Sequence, residues 1–144
     1  MALLTSYGVL FAMSFLAATA VPMSSEPALI LLVRSGEVVF LPVLVATTGN
    51  VLGACTTYAL GRGAARAYEK TGKEKPLRGQ ARALRLLTRY GQAALALSWV
   101  PILGDALVAL AGVTRIRLAP FLLWVTLGKA VRFLVIALAA LNLF

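Results

Sequence analysis

Two stretches of this chain, separated by 79 positions, follow the same pattern of an apolar run, Val-Pro, an acid four residues after the proline, a second apolar run and a long hydrophobic span. The first copy contains Pro22 and Glu26, and the second contains Pro101 and Asp105. Further matches pair Gly36 with Gly112, Pro42 with Pro120, and Gly49 with Gly128. In membrane transporters, such paired and interrupted apolar segments point to a binding site where the two repeats meet.

The composition places this repeat in a membrane. Of the 144 residues, 60% are hydrophobic and 13% are charged, which leaves too little polar surface to enclose a water-soluble core. The sequence therefore predicts an all-α integral membrane protein with a single membrane domain, residues 1–144. A single cysteine, Cys55, and the absence of histidine exclude a disulfide framework, a Cys/His zinc site and a catalytic histidine, so no metal or cofactor is expected.

Positive charge is concentrated in the middle of the chain. Nine of the 14 lysines and arginines lie in residues 62–89, together with two acids. The positive-inside rule predicts that this segment is cytoplasmic. Arginines at helical spacing beside apolar residues predict an amphipathic helix that rests on anionic headgroups, and they are Arg78, Arg82, Arg85 and Arg89. Topology and headgroup attraction account for the net charge of +9, so no nucleic-acid partner is expected.

Two segments are long enough to cross a bilayer. Residues 38–60 and 118–144 are predominantly apolar, and a hydrocarbon core of roughly 30 Å needs about 20 residues of helix. The segments that follow the two acids, residues 28–33 and 106–113, are too short to cross alone. One possibility is that each short segment is the second half of a re-entrant hairpin, which returns to the face it entered from. The alternative is that each joins the apolar run before its proline into one kinked span, so that the chain crosses the membrane four times.

The hairpin interpretation leads to an inverted repeat. A hairpin plus one span crosses the membrane an odd number of times, so the second repeat (residues 90–144) is inverted relative to the first (residues 5–61). The basic segment of residues 62–89 connects the repeats on the cytoplasmic side, and both termini lie outside. The hairpin tips then meet near the midplane of the membrane.

Four ionisable residues are expected at membrane depth: Glu26, Asp105, Lys129 and Arg132. Each costs about 2.5 to 3.5 kcal/mol at a helix centre and must be compensated. Lys129 and Arg132 lie three positions apart, so they share one face of the last span. The four residues either form ion pairs that only hold the hairpins in place, or line a polar cavity that accepts a phosphate or passes a proton.

The first span also carries a small-residue face. Gly49 and Gly53 are four positions apart, which predicts close packing against another helix. Asn50 lies beside this face, where it is expected to form a hydrogen bond with an interior group, and it is a candidate residue for binding the substrate or the proton. The span therefore combines a packing surface with a polar side chain.

Four motifs in this order resemble the DedA/VTT (SNARE-associated-like) family of membrane proteins, in its short YqaA-like branch. The motifs are Ser24-Ser25-Glu26-Pro27, Gly49-Asn50-x-x-Gly53 with Tyr58-x-x-Gly61-Arg62, Trp99-Val100-Pro101-x-x-Gly104-Asp105, and Gly128-Lys129-x-x-Arg132. The resemblance spans nearly the whole chain. It implies two opposed re-entrant hairpins and the movement of lipids between leaflets: recycling of undecaprenyl phosphate or proton-coupled phospholipid flipping in bacterial relatives, and lipid scrambling in eukaryotic ones.

By this resemblance, Glu26 matches the acid of the first hairpin, and Asn50 matches a position where longer relatives often carry an aspartate. Longer relatives also have arginines that flank the proline of the second hairpin. This chain has Ser98 and Gly104 in that neighbourhood, followed by Asp105. The sequence therefore departs from the family at the position where phosphate-binding arginines are expected.

Together these observations predict a transporter that moves a lipid or lipid-linked phosphate between the leaflets of a bacterial inner membrane. Glu26 and Asp105 are expected to bind the coupling proton, while Lys129 and Arg132 either replace the missing arginines or contact a different substrate. The alternatives are a small-molecule or ion exporter and a non-transporting packing or assembly protein. An enzyme is the least favoured class, because histidine is absent and one intramembrane aspartate is too few for a paired-aspartate protease. The expected partners are phosphate-bearing lipids and protons. The sequence is also compatible with a homo-oligomer.

Overall fold

The computed structural model describes residues 1–19, 24–72, 81–100 and 103–143, and all regular structure within these ranges is helical. The helices in chain order are α1 (Ala2–Ala17), α2 (Glu26–Arg34), α3 (Phe40–Thr71), α4 (Ala81–Tyr90), the 3₁₀ helix Gly91–Trp99, α5 (Leu103–Val113) and α6 (Leu118–Leu143). The predicted all-α class is confirmed for these residues.

Helix α2 is short because both of its ends carry boundary signals. Glu26 and Pro27 occupy the first turn, where a carboxylate favours the helix dipole and proline needs no amide partner. Arg34 lies in the last turn, and Gly36 follows with a φ of +93°, which ends the helix. With 9 residues, α2 is only about 14 Å long and cannot cross a bilayer.

The start of α1 lies beside the residues that follow α2. The Tyr7 hydroxyl donates a hydrogen bond to the Glu37 carboxylate at 2.9 Å. A groove of about 590 Å³ runs between the two helices and is lined by Thr5 and Val9 of α1, by Leu31 of α2 and by Ser35, among others. Helices α1 and α2 are therefore antiparallel neighbours, with the start of α1 beside the end of α2.

Two of the described helices, α3 and α6, are long and apolar enough to cross a membrane. Helix α6 matches the predicted span as far as Leu143. Helix α3 instead continues beyond the predicted end at Leu60 to Thr71. The alanine-rich stretch after Leu60 has a high helix propensity, and Gly72, with a φ of +67°, ends the helix. The start of the predicted basic connector is therefore a continuation of α3.

The turns that precede the two long helices share one hydrogen-bond pattern. The Ser35 amide donates to the Leu31 carbonyl at 3.0 Å. At positions 79 residues further along, the Thr114 amide donates to the Leu110 carbonyl at 2.8 Å. The sequence repeat is therefore also a repeat of local backbone geometry.

One pair in the predicted alignment of the two repeats, Gly36 with Gly112, does not match in backbone conformation. Gly36 has a φ of +93°, and the left-handed residue at the same place in the second copy is Arg115, with a φ of +59°. Gly112, which the sequence pairs with Gly36, lies inside α5. The pairing misleads because a glycine can be needed either for a left-handed turn or for close helix packing, and the sequence alone does not distinguish the two.

The described residues divide into two compact units, residues 1–53 with 129–144 and residues 54–128, and α3 and α6 each run through both. In the first unit, α1, α2 and parts of α3 and α6 enclose an apolar core. Its buried members are Leu10, Leu29, Leu32, Val33, Ala46, Phe133 and Ala137.

The second unit is built on very close contact between α3 and α5. Gly61 approaches the carbonyl of Ala109, and Gly112 approaches the carbonyl of Tyr58, so closely that a Cβ atom at either glycine would overlap it. The Tyr58 hydroxyl also donates a hydrogen bond of 2.5 Å to the carbonyl of Ile116. Both interactions fix the turn after α5 against α3.

Helix α4 is amphipathic, as predicted for this part of the basic segment. Its apolar side joins the core of the second unit, and its arginines are exposed: the buried residues are Ala83 and Leu87, and the arginines are Arg82, Arg85 and Arg89. Arg78, the first arginine of the predicted pattern, lies outside the described residues.

Helix α6 carries apolar side chains on its outward surface as well. Leu123, Leu127, Val131, Leu134, Val135 and Leu138 are all exposed. An apolar surface of this extent is unfavourable in water but suits contact with lipid.

Candidate functional site

The first unit gathers polar side chains inside an otherwise apolar core. Five of the six buried polar or charged residues found in the described ranges belong to it: Ser14, Ser25, Thr47, Asn50 and Lys129. Polar groups are expensive in a membrane interior and commonly mark functional positions there. This set, together with Glu26 and Arg132, is the candidate site.

Glu26 and Arg132 form an ion pair within this unit. A guanidinium nitrogen of Arg132 donates a hydrogen bond to a carboxylate oxygen of Glu26. The first turn of α2 positions the carboxylate, and α6 positions the guanidinium. The Arg132 and Glu26 side chains are 24% and 37% exposed, so the pair is shielded but can still be reached from the surface.

Lys129 lies on α6, three residues before Arg132, and is only 2% exposed. An ammonium group buried to this extent requires polar neighbours to offset its lost hydration. Because residues three apart share a helix face, α6 presents two cations to the same region.

Asn50 joins α3 to α1. Its side-chain amide donates a hydrogen bond to the carbonyl of Ser14 at 2.9 Å. Gly49 allows this close approach, because a Cβ atom there would lie 2.6 Å from the carbonyl oxygen of Phe11. Gly53, one turn later, faces the carbonyl of Phe15 in the same way. The small-residue face of the first span thus packs against α1.

The hydroxyls of Ser14 and Thr47 are buried and have no hydrogen-bond partner among the described residues. By contrast, the hydroxyl of the adjacent, exposed Thr48 has a partner, because it donates a hydrogen bond to the carbonyl of Leu44 at 2.7 Å. Leaving a buried hydroxyl without a partner costs about 1 to 3 kcal/mol. These two groups are therefore available to bind water or a polar ligand.

The arrangement can bind an anion at Arg132. A phosphate suits both the planar fork of the guanidinium and the point charge of Lys129. Such an anion competes with the Glu26 carboxylate for the guanidinium.

The second unit holds the other predicted site residues. Asp105 lies in the first turn of α5, and its side chain is exposed. Gly104 and Gly128 both pack closely beside Ser98, Gly104 against its backbone and Gly128 against its hydroxyl. These glycines therefore have packing roles, and the predicted meeting of Asp105 with Glu26 stays a prediction.

The hairpin tips are only partly described. Pro27 is exposed in the first turn of α2. Pro22 and Pro101 lie outside the described residues. Their predicted position at the tips stays a prediction.

Sequence reasoning missed Ser14 and Thr47, and it named Ser25 only as part of a family motif. Ser14 lies within a long uncharged run, where one hydroxyl carries no periodic signal. Thr47 could have been found, because it precedes Asn50 by three positions and therefore shares its helix face. Its inward orientation depends on the phase of α3, which packing determines.

The comparisons with known proteins cover most of the chain. The model of the VTT domain family matches residues 21–141. The chain is 41% identical over 134 residues to the inner membrane protein YqaA of Escherichia coli K12, covering 92% of this chain and 89% of that protein, and the same values hold for YqaA of Shigella flexneri. An uncharacterised protein of Haemophilus influenzae is 36% identical over 132 residues, which is 86% of this chain and 80% of its own. No solved structure matches the chain significantly.

The match to the VTT domain family agrees with the four sequence motifs that resemble this family. The family model includes the four predicted site charges, Glu26, Asp105, Lys129 and Arg132, within one continuous segment. The relatives named as inner membrane proteins align with nine tenths of the chain, which accounts for its two long apolar helices. The chain therefore belongs to the VTT-domain family of membrane proteins, the DedA family, and is similar to its short YqaA members.

Proposed function

We propose that this protein moves a lipid or a lipid-linked phosphate between the leaflets of a bacterial inner membrane, with proton binding at Glu26 as the coupling step. The observation that carries the proposal is the pair of cations on α6, with Lys129 buried and Arg132 held by Glu26. Lys129 and Arg132 bind the phosphate, and Asn50 orients α1 beside them. The names of the relatives support an inner-membrane location.

Two antiparallel arms support the re-entrant hairpin. The bond between Tyr7 and Glu37 brings the start of α1 to the end of α2, and neither helix is as long as a normal span. In the second unit, Gln92 of the 3₁₀ helix and Arg115 after α5 line one groove, so the outer ends of those arms also lie together. Each repeat then crosses the membrane once, by α3 or by α6.

This topology puts both termini outside. In a Cys55→Ala background, Ala2→Cys and Asn142→Cys should each be labelled by a membrane-impermeant thiol reagent in intact cells. Thr71→Cys, at the end of α3 in the basic segment, should be labelled only after the membrane is permeabilised. Protection of both terminal cysteines would instead indicate four full crossings.

The transport reaction can be tested with purified protein in liposomes. We expect the wild type to accelerate the movement of a fluorescent phospholipid or polyprenyl phosphate above the rate in empty liposomes, and a proton gradient to change that rate. Equal rates with and without protein for both lipids would overturn the proposal. Flux of a soluble dye or ion without lipid movement would favour a small-molecule or ion exporter.

A non-transporting packing protein is the second candidate function. The ion pair of Glu26 with Arg132 and the bond from Asn50 to Ser14 each connect two helices, as structural contacts do. The buried hydroxyls of Ser14 and Thr47 allow a test between the transporter and the packing protein. A side chain that only packs is not stabilised by a hydroxyl without a hydrogen-bond partner.

Thr47→Val should leave thermal stability in detergent unchanged or higher, because valine has nearly the shape of threonine and no hydroxyl to satisfy. If the hydroxyl binds water or phosphate in the transport site, the same variant should reduce lipid movement by about tenfold, equivalent to roughly 1.4 kcal/mol. Thr48→Val is the matched control, since Thr48 is exposed and its hydroxyl bonds to Leu44. Full transport by Thr47→Val would favour the packing role.

A further inference from the structure

A second groove lies in the second unit, between helix α4 and the turn that follows α5. Its volume is about 460 Å³, within the roughly 300 to 1,000 Å³ of typical ligand sites. One wall is formed by Leu84, Leu87 and Thr88 of α4, and the other by the turn from Thr114 to Arg117. The groove is therefore lined by both apolar and polar side chains.

Two arginines give this groove positive charge. Arg115 and Arg117 line it, whereas the exposed arginines of α4 are not part of its lining. Arg115 is already neutralised by an ion pair with Glu69 of α3. Arg117 is exposed and has no ion-pair partner among the described residues, so it offers its charge to the groove.

The turn holds an unfavourable backbone conformation to place these side chains. Arg115 has a φ of +59°, where the first repeat uses Gly36. Arginine is less stable than glycine in this region, so packing must hold the turn in place. The bonds from Tyr58 to Ile116 and from Arg115 to Glu69 do so.

The groove lies at the cytoplasmic membrane surface. Arg115 contacts Glu69, which belongs to the basic segment that the positive-inside rule assigns to the cytoplasm. Helix α6 begins at Leu118, directly after the groove, and Leu118 is 50% exposed. A ligand here therefore meets basic side chains on the aqueous side and apolar ones on the lipid side.

We infer that this groove binds one anionic phospholipid of the cytoplasmic leaflet, with its phosphate at Arg117 and its glycerol and acyl chains along Leu84, Leu87 and Ile116. A membrane lipid fits better than a soluble anion because part of the lining is apolar and the groove adjoins the start of a membrane helix. The site lies in the second unit, shares no residue with the proposed transport site and does not depend on transport.

Native mass spectrometry of the full-length protein with phosphatidylglycerol in detergent tests this inference. We expect one tightly retained lipid, and about tenfold weaker binding for Arg117→Gln, the loss expected for a charge-assisted contact. Arg117→Lys should weaken binding less, because lysine keeps the charge but not the fork. Arg82→Gln is the matched control, since Arg82 is an exposed arginine of α4 that does not line the groove.

A photoactivatable phosphatidylglycerol should crosslink to residues 84–92 and 114–117. Equal weakening by Arg117→Gln and Arg82→Gln would show a diffuse basic surface and overturn the site. Equal binding of phosphatidylcholine, or displacement of the lipid by inorganic phosphate at millimolar concentration, would overturn the choice of an anionic lipid. Crosslinks confined to other segments would also refute it.

Discussion

Gly112→Ala should lower the free energy of unfolding by about 2 kcal/mol or more, within or above the usual range for overpacking a close contact. The added Cβ would meet the backbone carbonyl of Tyr58 and would lie 3.0 Å from the amide nitrogen of Arg62. Backbone atoms cannot turn aside as a flexible side chain does, so α5 would have to move away from α3. That movement would strain the hydrogen bond from Tyr58 to Ile116.

The control is Gly63→Ala, on the same helix α3. Nothing lies within 4 Å of a Cβ atom built at Gly63. Alanine is favoured over glycine in a helix by about 1 kcal/mol, so this variant should be as stable as the wild type or more so. Thermal unfolding in detergent compares the two. A Gly112→Ala protein with wild-type stability would contradict the close contact between α3 and α5.

Arg132→Gln and Glu26→Gln should each lower the free energy of unfolding by about 2 kcal/mol, between the values for exposed and fully buried ion pairs, because each breaks this partly buried ion pair from one side. Both variants should also lose lipid transport, since Arg132 binds the phosphate and Glu26 the proton in the proposed mechanism. The double variant should recover most of the stability, because both charges of the ion pair are removed together. It should not recover transport.

Melting temperature and liposome transport, measured for the four proteins of this double-mutant cycle, separate function from packing. The ion pair of Arg115 with Glu69 is the stability control. Its side chains are 46% and 53% exposed, so disrupting it should cost no more than about 1 kcal/mol. Wild-type transport by the double variant would show that Glu26 and Arg132 only pack. A double variant as unstable as the single ones would contradict the proposed origin of the stability loss.

Much of the architecture follows from the sequence because it depends on local properties. Among the described residues, the two helices long and apolar enough to cross a membrane coincide with the two predicted spans, and α4 coincides with the helical spacing of its arginines. The short helix α2 begins at Glu26-Pro27, where charge and proline both favour a helix start. The family, too, follows from motifs that are local strings of residues.

Tertiary structure decided the features that depend on which residues face each other. The pairing of Arg132 with Glu26 could not be chosen from two acids and two bases of equal charge. The same is true of Thr47 and Thr48, adjacent residues of one type, of which only Thr47 is buried without a partner.

Gly36 and Gly112 show most clearly why these features could not be read from the sequence. By sequence, Gly36 pairs with Gly112, yet Gly36 serves a left-handed turn and Gly112 serves contact with the Tyr58 carbonyl. The turn of the second repeat is formed by Arg115, which local propensity disfavours and which the bonds to Glu69 and the contacts of Ile116 stabilise. The sequence by itself determined the helices, the membrane setting and the family, because these rest on local periodicity and composition. Only the tertiary structure decided which charges pair and which buried hydroxyls have no partner among the described residues, because those features depend on contacts between distant residues.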